Sequence, residues 1–299
     1  MMTTRLMLAM ALACAVACTP PPAGQTQDAG MGPDASMTAG MDGGTQACAT
    51  QVLPLLTRAY GTTERYFVEV VEGNQVKALQ LDTGSALTFV FTGAGTPDFT
   101  PNAAGLLLGC EVLQLPGRGY AAPNTQVAGL DVIGLLGMEY LLARPTRLDV
   151  LGRQLEVLSH LPVDLPQNPD ARRIPLDNVQ QHALVPCTLD GDAVRLMFDT
   201  GGGHTLRVGV PGRPGDRESQ VVDAQGTVFT IYEGTGTLQC GAFGPMEVPV
   251  ARAPAFPYFE DTVAALGGNL HGLLGVSSFP GQQFFVDGAG SAMWTVPAP

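Results

Sequence analysis

The chain has 299 residues, 45% hydrophobic and only 14% charged, with 38 Gly, 24 Pro and a formal net charge of −12. That length suits one large domain or two modest ones with ample core, and the Gly and Pro content favours short strands and turns over long surface helices. An acidic chain whose only lysine is Lys77 argues against a nucleic-acid partner and against electrostatic binding to anionic lipid.

The N-terminus carries a single Arg5, an apolar run from Leu6 to Ala17, and small residues before Cys18. This is the pattern of a secretory signal over residues 1–18, too short for a transmembrane helix. The ending AVAC, like the earlier ALAC at Cys14, resembles the lipobox of bacterial lipoproteins, although Ala stands where Leu is usual. Cys18 leaves the longer apolar core and is the favoured lipidation site; a plain secretion signal is the alternative. The resemblance implies an exported body, lipid-anchored in the bacterial cell envelope (periplasm or outer surface) and touching the membrane through that anchor only. Residues 19–47 hold Gly, Ala, Asp, Pro and Thr with no aromatic or β-branched aliphatic residue. Such a segment buries too little surface to offset its ordering entropy and reads as a disordered tether.

Past the tether lie Cys48, Cys110, Cys187 and Cys240, enough for two disulfides whose pairing the sequence leaves open. No CxxC is present, no HExxH occurs, and His160, His182, His204 and His271 are scattered, so no metal or other cofactor is expected. A GxSxG elbow is absent too.

The rest of the chain is written twice. The first copy opens on Leu53-Pro54-Leu55, and a hairpin then runs from YFVEVV through Glu72-Gly73-Asn74 into VKALQL. The second opens on Ile174-Pro175-Leu176, with a hairpin from ALVPCTL through Asp190-Gly191-Asp192 into AVRLMF. Gly beside Asp or Asn between alternating apolar runs is a strong hairpin signal. In both copies the returning strand runs straight into Asp-Thr-Gly, at Asp82 and at Asp199. A second shared element follows, GLDVIGLLGMEYL at 129–141 and GNLHGLLGVSSF at 268–279, and each copy closes on a strand-like segment. Helix potential is confined to GMEYLLAR and EDTVAAL, and the polar, Pro-rich segment 159–173 marks the boundary. The expected fold is therefore mostly β, with two pseudo-symmetric lobes over 48–165 and 166–299 and a site in the cleft between them.

One Asp-Thr-Gly is weak evidence; two at equivalent places of an internal repeat are far more specific. Two carboxylates brought together across a pseudo-two-fold axis cannot both ionise easily and share a proton. The ionised one can take a proton from a water held between them while the protonated one polarises a carbonyl oxygen. LDTGS with VIGLLGMEYL, and FDTGG with LHGLLGVSSF, resemble the paired signatures of the aspartic peptidases, the pepsin and retropepsin superfamily, over about residues 50–297.

That resemblance implies that Asp82 and Asp199 form the catalytic dyad, Thr83 and Thr200 an interlobe hydrogen-bond grip, and Gly84 and Gly201 the active turns. It also implies that the Ser85 hydroxyl supports its aspartate, a support that Gly202 lacks. A flap is expected around Tyr232 in IYEGTGTLQCG or, as a weaker candidate, around Tyr120 in LQLPGRGYAAPNTQV. His204, beside the second loop, is placed to modulate the pH response, while Phe256, Tyr258 and Phe259 read as core or pocket rim. The implied activity is endopeptidase cleavage of a polypeptide substrate by a monomer without cofactor. The alternative is a non-catalytic surface lipoprotein that keeps the cleft for binding extended peptides.

Overall fold

The computed structural model describes residues 50–299 apart from 61–62, 94–98, 120–124 and 223–227. The lipidation candidate Cys18, the tether, Cys48 and Tyr120 lie outside the described residues. Two antiparallel hairpins, Thr63–Glu72 with Gln75–Leu81 and His182–Leu189 with Asp192–Asp199, form at the expected places. Their tight turns use left-handed backbone at Gly73 (φ +60°) and at Asp190 and Gly191 (φ +56° and +89°), which Gly and Asp tolerate best.

Each returning strand is then covered on its far side by a parallel partner, Leu130–Leu136 in the first half and Gly272–Gly275 in the second. These partners contain the two GLLG sequences, and the packing explains the glycines. A Cβ on Gly134 or Gly272 would run into the carbonyl oxygen of Phe89 or Leu206, and one on Gly137 or Gly275 into Leu87 or His204 backbone. Only a residue without a side chain lets the strand after each active loop cross so closely. The two leucines between them are buried: Leu135 and Leu136, Leu273 and Leu274.

Each half closes into a barrel-like sheet, through the pairing of Val71 with Leu107 in the first and of Leu189 with Leu238 in the second. The disulfide Cys187–Cys240 ties the same two strands of the second lobe, and Cys110 is also disulfide-bonded. The halves share a third, antiparallel layer. Its order is Arg172–Pro175, Ala292–Pro297, Gln282–Asp287, Thr146–Asp149, Gln154–Val157 and residues 51–54, three strands from each half. The apolar-Pro-Leu openings of the two copies sit at its opposite edges, and Phe284 faces Leu148 where the halves meet. One hydrophobic cluster runs through both lobes and this layer, from Leu79, Leu81 and Leu148 to Phe198, Leu274 and Phe284. Burying each such side chain contributes roughly 1.5–3 kcal/mol.

The structure is thus nearly all-β, with two pseudo-symmetric lobes. Helices occur where the sequence has helix potential, Met138–Ala143 and Pro257–Ala265. The second packs Phe256 and Phe259 onto Leu184, Met197 and Leu273, which makes these two rings core. Among the described residues no helix is long and apolar enough to cross a membrane.

Candidate active site

Both Asp-Thr-Gly turns lie where a buried strand ends against its GLLG partner. The Asp82 amide donates to Leu136 O at 3.0 Å, and Asp199 pairs with Gly275. The two turns meet across the lobes. The Thr83 hydroxyl donates to Phe198 O (2.9 Å) and accepts the Thr200 amide (2.9 Å). Reciprocally, the Thr200 hydroxyl donates to Leu81 O (2.9 Å) and accepts the Thr83 amide (3.1 Å). Both threonines are fully buried, so each hydroxyl satisfies one donor and one acceptor that water does not reach. This crossed arrangement fixes the loops relative to each other in both position and angle.

Asp82 and Asp199 are 1% and 2% exposed. A Cβ on Gly84 would lie 2.9 Å from Asp199 Oδ1 and 3.2 Å from Asp82 Oδ1, so those oxygens are at most about 6 Å apart. A Cβ on Gly201 would lie 2.6 Å from the Asp82 carboxyl. The absence of side chains at Gly84 and Gly201 is what lets the carboxyl groups approach. Each aspartate accepts the amide two residues on: Gly84 N to Asp82 Oδ1 at 3.1 Å and Gly201 N to Asp199 Oδ1 at 2.8 Å. Burial above all, and then the charge of Asp82, push the Asp199 carboxyl up to about 8. The amides of Gly202 and Gly201 and the Arg65 guanidinium pull it down, but by less.

The two loops differ outside this shared frame. The Ser85 hydroxyl, expected to support Asp82, donates instead to Leu87 O at 2.8 Å, one turn along its own loop. The outer oxygen of Asp82 is reached from the strand before it, by Gln80 Nε2 at 3.4 Å. At the second loop Gly202 leaves no gap: a Cβ there would lie 2.7 Å from Asp199 Oδ2. Its amide takes the place of a side-chain donor. Serine and glycine therefore answer different local geometries.

Sequence reasoning missed Gln80, Arg65 and Thr88. Thr88 accepts Gly137 N (3.0 Å) through its hydroxyl and donates its amide to Glu139 Oε1 (2.7 Å), bracing the first loop on its GLLG element. Its counterpart Thr205 shares a 2.6 Å hydrogen bond with Ser278 in the second loop. For Thr88 the signal was available, because Thr88 and Thr205 are separated by the same 117 residues as the two aspartates.

Tyr232 is not at a hairpin tip. It is internal to the strand Val228–Cys240, between Glu218 and Arg252 in register, and its ring packs on Gly212. The tip of the hairpin it belongs to falls in 223–227, outside the described residues. His204 shares a 3.3 Å contact with Ser277 Oγ, and burial lowers its pKa. Among the described residues no three His, Cys, Asp or Glu side chains gather into a metal-holding group.

No protein-family model matches the chain, and no curated protein matches it. Solved structures similar to it include an aspartic proteinase from Irpex lacteus, at 9% identity and a TM-score of 0.48, covering 84% of this chain and 98% of that one. Basic 7S globulin from soybean follows at 12% and 0.45, covering 83% and 94%. Conglutin gamma, a basic 7S globulin from lupine seeds, follows at 10% and 0.47, covering 83% and 94%. At that distance a role for any side chain has to come from its own surroundings.

Proposed function

We propose that the protein is an aspartic endopeptidase that hydrolyses peptide bonds of an extended polypeptide with a water activated between Asp82 and Asp199. One observation carries the reading: two buried carboxyl groups, delivered by mirrored loops and locked by the crossed Thr83 and Thr200 hydroxyls. A buried pair of acids costs stability unless it shares a proton, and buried acids with strongly shifted pKa cluster at catalytic sites. Asp82, ionised, takes a proton from the water, while Asp199, whose protonated form burial favours, donates to the carbonyl oxygen. A neutral tetrahedral diol results. Asp82 then gives its proton to the nitrogen and a diol hydroxyl gives one to Asp199 as the C–N bond breaks, which releases the two products and restores the one shared proton. No cofactor enters this sequence.

The body is further proposed to work as a monomer outside the cytoplasm, held at the cell envelope by a lipid on Cys18 and the 19–47 tether. The signal-like apolar run and the small residues before Cys18 support this part. The test of function is cleavage of denatured protein across acid to neutral pH, its inhibition by pepstatin, and its loss in Asp82→Asn and Asp199→Asn. Both variants cleaving like wild type would end the dyad reading. A wild type that never cleaves but binds extended peptides would favour the binding role instead.

A further inference from the structure

Arg65 is a charged side chain that the chemistry above does not use, and it is only 2% exposed. It lies on the strand Thr63–Glu72, where Phe67 faces Gln80. Two residues further along the antiparallel pair, Arg65 comes opposite Asp82, and side chains at this spacing share one face of the sheet. Gln80 reaches Asp82 from that face. The start of the same strand presses on the second active loop, where a Cβ on Gly203 would collide with Thr63. The strand of Arg65 therefore flanks both loops, and the Arg65 charge reaches Asp199, whose carboxyl pKa it lowers.

The other hairpin has a counterpart. Leu184 faces Met197, so the same continuation brings His182 opposite Asp199, 117 residues after Arg65. The imidazole of His182 is 2% exposed, and burial favours its neutral form. In the hairpin register, equivalent positions thus hold a permanent cation opposite Asp82 and a mainly neutral ring opposite Asp199.

We propose that Arg65 is a positioning residue that assigns the charge of the pair to Asp82 and the proton to Asp199, and so sets the acid limb of activity. The inference rests on the peptidase reading for its activity readout but not for the charge assignment itself. Other titratable or charged groups lie around the pair. His182 faces it from the second hairpin, and His204, which feels Glu233, from the second loop. Glu139 stands behind the first loop, its carboxyl raised by burial and engaged by Thr88. Arg58, opposite Arg65 on the neighbouring strand, donates to Gln126 O at 2.7 Å.

The experiment is a pair of titrations on wild type, Arg65→Lys, Arg65→Met and Arg65→Gln, each checked for folding by circular dichroism. The first follows kcat/KM for a peptide against pH. The second follows the aspartate carboxyl carbons by 13C NMR after selective labelling. Removing a nearby cation should raise the acid limb and the lower carboxyl titration by about one unit or more, with Lys restoring most of the shift. A folded Met or Gln variant whose carboxyl titration superimposes on wild type overturns the proposal. Carboxyl titrations that shift in a protein that never cleaves leave the charge assignment standing and remove the peptidase reading.

Discussion

The two active loops share a frame and differ in what surrounds it. Both end a buried strand, both are crossed by a GLLG strand, and each threonine grips the other loop through one donor and one acceptor. Around Asp82 the side chains are polar: Gln80 at 3.4 Å from its outer oxygen, and Arg65 opposite in register. Around Asp199 the equivalent positions are Met197 and a buried His182, and its donors are backbone amides. Symmetry brings the acids together; asymmetry gives them different surroundings. A pair in identical surroundings would have no preferred general base.

The sharpest break of that comparison is removal of one acid. Asp82→Asn and Asp199→Asn should each lower kcat by roughly 10²–10⁴, but they should part in stability. The folded state raises the Asp199 pKa from its ordinary 3.8 to about 8. Its favourable contribution is therefore full below the ordinary value and is lost as the pH climbs towards 8. Asp199→Asn should flatten the fall of Tm across that window, as thermal melts at stepped pH will show.

The grip comes next. Thr83→Val and Thr200→Val each strand one buried amide and one buried carbonyl, at a cost of about 2–5 kcal/mol. The two should cost the same to within about 1 kcal/mol, because the hydrogen bonds are reciprocal; urea denaturation measures both. Unequal losses would mean that the symmetric frame is not what holds the lobes in register.

Smaller effects separate the fourth loop positions. Gly202→Ala places a Cβ 2.7 Å from Asp199 Oδ2, which should cost about 1–3 kcal/mol and a larger share of kcat. Ser85→Ala, losing one local hydrogen bond to Leu87, should cost about 1 kcal/mol with kcat nearly unchanged. A reversal in the order of these two would show that Ser85 supports its aspartate after all. Gln80→Met, which copies the second hairpin into the first, should change kcat/KM only a few-fold, since the bond it removes is long.

Much of the architecture was legible because its signals are local. The hairpins were readable from Gly73 and from Asp190-Gly191, the helices from GMEYLLAR and EDTVAAL, and the candidate dyad from a triplet repeated inside a repeat. Readings that needed a side chain's direction fared worse. Ser85 turned to Leu87, and Tyr232 lies inside a strand. Neither outcome follows from residue type, because a hydroxyl chooses among several nearby acceptors and a ring fills whatever groove the neighbouring loop leaves. Gln80 and Arg65 escaped notice for a related reason. A polar residue two positions before an aspartate, or seventeen, has no meaning until the hairpin register is known.

The amino-acid sequence by itself determined that the body is two copies of one β unit, each carrying an acid to the end of a buried strand, since turn chemistry and alternation act over a few residues. Only the tertiary structure decided that the two acids face each other, that Gly202 has no room for a side chain, and that the buried Arg65 falls opposite Asp82 in the hairpin register. The first of these depends on contacts between residues more than a hundred positions apart, which exist only once both barrels have closed and the shared layer has set their relative angle; the other two depend on side-chain direction within a loop and on hairpin register.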